Sequence, residues 1–277
     1  MSPSGLTFSV KCPFCPLSFW GRFVYLQLKG GFLHYQKLII MNILLVFAAA
    51  ILPVAILLMY IFRKDPQPEP KSWLCKSMFY GMAIIIPVIV VELLLQLFLF
   101  GPEGKQATIF DSTLNAFVVA ALPEETFKLL ALWLVLRKNP FFDEHFDGIV
   151  YAVCVGMGFA AIENIMYVVG EESWHSVAIG RALFAVPAHY AFAVLMGYYY
   201  SVYHFIDHSP LNAIKILAYP VVAHGIYDAI IMGFNVNPYL SGIGSFALIF
   251  FCIRLHKYVF KRITTMIEID KNKNINC

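Results

Sequence analysis

The sequence predicts an all-α polytopic membrane protein, a transmembrane helix bundle of about seven spans, and three observations carry that prediction. Of the 277 residues, 60% are hydrophobic and only 13% are charged, against roughly 45–50% and about 25% in ordinary soluble domains. The mean hydropathy is +0.72. Apolar runs of about 20 residues recur along nearly the whole chain, each long enough to cross roughly 30 Å of hydrocarbon at about 1.5 Å per residue. This composition excludes a soluble globular enzyme. A net charge of +3, dispersed along the chain, leaves no basic stripe of the kind that nucleic acid requires.

Predicted spans fall near residues 39–62, 77–100, 113–136, 147–170, 176–203, 212–234 and 238–260. Loop chemistry separates them: Asp65-Pro66-Gln67-Pro68-Glu69-Pro70 ends the first, Gly101-Pro102-Glu103-Gly104 ends the second, and Ser209-Pro210 opens the sixth. The segment 39–262 is thus an integral-membrane domain, and 263–277 is a polar tail whose end, Lys271 to Cys277, is expected to be disordered. Lys and Arg counts set the orientation. Arg63, Lys64, Lys71, Lys76, Arg137, Lys138, Lys215 and the basic tail share one side, whereas Lys105 and Arg181 fall on the other. The tail and the 63–76 loop are therefore expected in the cytoplasm, with the start of the first span outside.

Residues 1–38 depart from this arrangement, because Lys11, Arg22, Lys29 and Lys37 would add positive charge outside and no span-length apolar run is present. Met41 opens a conventional start, and the preceding residues read as an over-extended reading frame. Cys12 and Cys15 form a single CxxC in that stretch, which is weak evidence for metal or redox chemistry; Cys75, Cys154, Cys252 and Cys277 show no ligand spacing.

Function is expected where ionisable residues enter the membrane, since each costs about 2.5–3.5 kcal/mol at a helix centre and requires a partner, a watery cavity or a role. The third span carries Pro123-Glu124-Glu125-Thr126-Phe127-Lys128, the fourth Phe159 to Glu163-Asn164, the fifth Pro187-Ala188-His189, and the sixth His224 to Asp228. All lie near mid-span. Glu124 and Lys128 are four apart and stack as an ion pair. Glu125, about 100° around the helix, is then free or shares a proton with Glu163. His224 and Asp228 also stack, so the carboxylate orients the imidazole. Gly156, Ala160 and Glu163 form one small-residue stripe, and Ala185, His189, Ala193 and Gly197 another, which let helices approach closely. Glu92 has no evident sequence partner and reads as structural.

Taken in order, Glu124-Glu125 with Lys128, Phe159 to Glu163-Asn164, Pro187-Ala188-His189 with Met196-Gly197-Tyr198-Tyr199, and His224 with Asp228 resemble the motifs of the PrsW family of intramembrane proteases, distantly similar to the CAAX-prenyl endopeptidase superfamily. The resemblance spans about residues 41–260. It implies peptide-bond hydrolysis within the membrane, the typical substrate being a single-span anti-sigma factor cut at its first site. It further implies that Glu124, Glu125, His189 and His224 are the main functional positions, supported by Glu163, Asn164 and Asp228.

Hydrolysis needs an activated water, a proton for the leaving amine and donors for the oxyanion. The favoured mechanism needs no cofactor: Glu125 or Glu124 deprotonates a water shared with His189, Asn164 and His224 donate to the oxyanion, Lys128 holds the second glutamate ionised and Asp228 orients His224. The alternative is a Zn2+ site with His189, His224 and Glu163 or Glu125 as ligands, although no HExxH is present. Two readings of other classes use the same charges: a proton-coupled transporter and a non-catalytic membrane scaffold. The sequence is silent on oligomeric state.

Overall fold

The computed structural model describes residues 32–102, 108–169, 171, 173–235 and 241–275, and the CxxC of residues 12–15 lies outside them. Among the described residues every regular element is helical. Helix α1 (Phe32–Lys64) starts earlier than the apolar count placed it. Next come α2 (Lys71–Ala83) and α3 (Ile85–Phe100), which run almost continuously. They part at Ile84, where Pro87 withholds an amide and its ring presses on the carbonyl four residues back.

The third predicted span is built in pieces. Thr108 and Asp111 form a reciprocal capping box that starts α4 (Ile109–Leu114). A π-helical stretch (Asn115–Ala121) follows, and then α5 (Leu122–Leu136). Helix α6 (Asp147–Val169) comes next, then α7 (Trp174–Gly180), a π-helical turn (Arg181–Ala185) and α8 (Val186–Ser201). A further π turn (Val202–Ile206) ends that span, before α9 (Pro210–Asn235) and α10 (Ser241–Ile275). Six of the resulting rods are long and apolar enough to cross a membrane. The third predicted span, from α4 to α5, is not among these six; it is helical along its length but carries Glu124, Glu125 and Lys128.

Helix α6 forms the axis of the bundle, packed against α8, α2 and α1. Its apolar window is 78% buried, against 11% for the span made by α2 and α3. Ile149, Val153 and Met157 of α6 meet Tyr190 and Val194 of α8, Val54 and Ile61 of α1, and Val259 and Ile263 of α10 in one core. Small residues permit this proximity. A Cβ built on Gly197 would lie 2.3 Å from the carbonyl oxygen of Gly148, and one on Gly156 would lie 2.7 Å from Ala193 Cβ. The two predicted stripes therefore face each other.

Far from the acidic and histidine motifs, the bundle is closed by a polar lattice. Asp147 Oδ2, in the first turn of α6, accepts the backbone N–H groups of Glu144 (2.7 Å) and Asp143 (3.1 Å) and ties the preceding loop to the helix. Asp270 of α10 accepts those of Phe146 (2.8 Å) and His145 (3.0 Å). Gln67 donates to Glu144, and Tyr151 to Glu69. This lattice corrects one expectation. The tail is helical through Ile275, because Ile263 and Met266 pack into the core and Asp270 holds the segment that leads into α6. His145 is also paired with Asp270 through its ring, at 2.5 Å.

Candidate active site

Two prolines and two π turns position the reactive side chains. Pro123 and Pro187 occupy the first turns of α5 and α8, each immediately after a π-helical stretch. A proline inside a continuous rod removes a hydrogen bond and collides with the preceding turn. The wider π turn takes up that misfit and rotates whatever follows, a geometry common at functional sites. The residues that follow are Glu124 and Glu125 on one rod and His189 on the other.

Lys128 lies at the centre. Its Nζ is 2.8 Å from Glu124 Oε2 and 2.8 Å from Glu125 Oε1, and 3.5 Å from His189 Nδ1. It also lies 4.2 Å over the Phe159 ring, a favourable cation–π position. The predicted Glu124–Lys128 pair is present, but Glu125 is neither free nor paired with Glu163. The i,i+3 spacing gives it the same ammonium, and His224 Nδ1 reaches it from α9 at 3.0 Å. His224 Nε2 is 3.2 Å from Asp228 Oδ2, so the expected orienting contact is made. Phe192 stacks on the His224 ring at 4.7 Å, and the His189 and His224 rings stand perpendicular at 5.4 Å.

Glu163 Oε2 is 2.7 Å from His189 Nε2 and 2.9 Å from Arg181 Nη2. Asn164 turns away from this centre: its Nδ2 donates to the Ala50 carbonyl (2.8 Å) and its Oδ1 accepts from Arg181 Nε (2.6 Å). The amide predicted to serve an oxyanion is therefore committed to α1. Glu124, Glu125, Lys128, Glu163, His189, His224 and Asp228 do converge. Burial separates the two adjacent glutamates, since the Glu124 side chain keeps 8% of its surface and Glu125 keeps none.

Two residues were undervalued in the sequence. Arg181, counted among external loop charges, is buried in the site by the π turn that it starts. Glu92, read as structural, falls between Val88 and Gln96 at helical spacing. Val88 packs in a cluster with Phe159, and Gln96 accepts from Asn115 at 2.7 Å. Glu92 is therefore turned toward the site, within electrostatic range of Glu124, Glu163, His224 and Asp228. Its i,i+4 register with Val88 and Gln96 was the available signal.

One metal-type donor set occurs among the described residues: Glu124, His189 and His224 offer ligand atoms all within 4.8 Å of one another. Two histidines and a carboxylate match a catalytic zinc site in donor chemistry and number, with Glu124 where the sequence had suggested Glu163 or Glu125. Glu163 instead supports His189 from the far side of the ring. Lys128 already faces two of the three donors, Glu124 and His189, so an ion held there must displace the ammonium.

Residues 69–255 match the model of a family described as PrsW family intramembrane metalloprotease. The chain is 34% identical to Protease PrsW of Oceanobacillus iheyensis over 192 residues, covering 69% of this chain and 84% of that one. It is 37% identical to Protease PrsW of Clostridioides difficile over 193 residues, covering 67% and 79%. With Protease PrsW of Bacillus subtilis the identity is 32% over 189 residues, covering 67% and 82%. No solved structure matches.

Proposed function

The chain belongs to the PrsW family and is an intramembrane protease, and we propose that Glu124 activates the water that attacks the peptide bond. This decides between hydrolysis and the transport and scaffold readings. The observation that carries the assignment of Glu124 is its place in one cluster with His189 and His224 together with the 8% of its side chain left uncovered, whereas Glu125, wholly covered, is held between Lys128 and His224.

In this mechanism Glu124 takes a proton from a water that it shares with His189, and the oxygen adds to the substrate carbonyl. Lys128 faces the developing oxyanion, over the ring of Phe159 where fixed charges act strongly, and His224, stacked on Phe192, is braced by Glu125 on Nδ1 and Asp228 on Nε2. Glu124 then returns the proton to the leaving nitrogen as the C–N bond breaks. Glu125 holds Lys128 and His224 in place. A second reading follows from the donor set above and the family description: Glu124, His189 and His224 would hold Zn2+, which polarises a carbonyl and acidifies water. In that reading Glu163 fixes the His189 tautomer and Asp228 orients His224.

The substrate class proposed is a single-span membrane protein, such as an anti-sigma factor cut at its first site. The charge bias further supports a cytoplasmic C-terminus in a bacterial plasma membrane. The test is cleavage of a panel of single-span substrates by purified protein in detergent, with and without a zinc chelator. Wild type is expected to cut in chelator, and Glu124→Gln is expected to lose at least about a hundredfold in kcat. Activity abolished by chelation and restored by zinc would replace the glutamate mechanism with the metal one. An unaffected Glu124→Gln variant would sink both.

A further inference from the structure

The buried guanidinium of Arg181 has no part in the steps above, yet it touches the residue that supports His189. We infer that Arg181 is a positioning residue that fixes the His189 ring through Glu163. The inference rests on the hydrolytic reading of the site.

Glu163 Oε2 lies 2.9 Å from Arg181 Nη2 and 2.7 Å from His189 Nε2, ion-pair distances to both. A carboxylate this close to Nε2 favours a proton on that nitrogen and leaves Nδ1 facing Lys128 and Glu124. The carboxylate can impose this tautomer only if it is itself immobile. Arg181 supplies that rigidity because its own plane is fixed on two further sides: Nε donates to Asn164 Oδ1 at 2.6 Å, and the group lies 4.1 Å over the Tyr167 ring. Asn164 is held in turn by the Ala50 carbonyl at 2.8 Å. The chain of contacts thus runs from the α1 backbone through Asn164, Arg181 and Glu163 to His189. Ala50 lies outside the residues matched to the family model, 69–255.

A residue that merely neutralised Glu163 could be replaced by lysine, because only charge would matter. A positioning residue could not be, since a lysine ammonium lacks the planar fork that engages Glu163 and Asn164 together. The experiment uses the full chain in detergent with a single-span polypeptide that the wild type cleaves, and adds ring-15N-histidine spectra with the His189 signal assigned by its absence in His189→Ala. Arg181→Gln and Arg181→Lys are both expected to lower kcat by about 10–100-fold with KM within about twofold. In Arg181→Gln the His189 signal should move from a single Nε2–H tautomer to a mixture, while the His224 signal stays in place. Full kcat in Arg181→Lys, or an unchanged His189 tautomer in Arg181→Gln, overturns the inference. If the wild type cleaves nothing, the hydrolytic reading fails on its own and the spectra still decide the role of Arg181.

Discussion

Lys128 sets the residue-scale energetics. It is a single ammonium serving two buried carboxylates, and opposite charges in a water-poor interior stay together because neither can be left alone. Lys128→Met leaves Glu124 and Glu125 without their cation and is expected to cost about 3–5 kcal/mol, read as a lower SDS-denaturation midpoint. Restoration of the midpoint by adding Glu125→Gln would show that the cost comes from the orphaned charge. Most of this site was legible in the sequence because charges in apolar spans announce themselves: Glu124, Glu125, Lys128, Glu163, His189, His224 and Asp228 were all read as one cluster. Arg181 and Asn164 were misjudged for a common reason. Counting about 1.5 Å per residue places a residue by depth, but rotation about the axis changes at a π turn, and no count of charges shows which way an amide points.

At the scale of the elements, the same local irregularity recurs before two of the four stretches that build the site. Sequence windows see α4 through α5 as one span and α7 through α8 as another, and in length both readings were right. What they do not reveal is that Pro123 and Pro187 each follow a π turn. The fit between α6 and α8 is equally unforgiving, since Gly197 faces backbone atoms of Gly148 and Ile149. Gly197→Val is expected to cost about 1–3 kcal/mol by overpacking, seen as a lower thermal transition. Gly242→Ala, where an added Cβ meets nothing within 4 Å, is the control and should leave the transition unchanged.

For the whole molecule, the polar lattice at the far end links the 65–70 loop, α6 and α10. Burial raises the carboxyl of Asp65 to about 6 and also raises that of Glu69, with neighbouring acids adding to the effect. The folded state therefore holds protons that the unfolded chain has released. Stability should fall as pH rises from about 4 toward 6, the interval between the unfolded and folded values of Asp65. Asp65→Asn is expected to flatten that slope in thermal scans between pH 4 and 7; a slope identical to wild type would remove Asp65 from the account. The all-helical membrane bundle followed from composition and span length, with six of the seven predicted spans long and apolar enough to cross a membrane. The docking of the tail did not, because Asp270 finds its partners more than a hundred residues upstream.

The way the site's charges are shared has a consequence for synthesis. Glu124 and Glu125 share a counter-ion on the same rod, one turn further along, so that segment enters the bilayer with one of its two charges already balanced. Glu163 does not: both His189 and Arg181 are translated after it. During insertion α6 must wait with a lone carboxylate until the following rod arrives. A ribosome stalled between Val169 and Arg181 would therefore leave α6 made and Glu163 without either of the side chains that pair with it in the finished bundle.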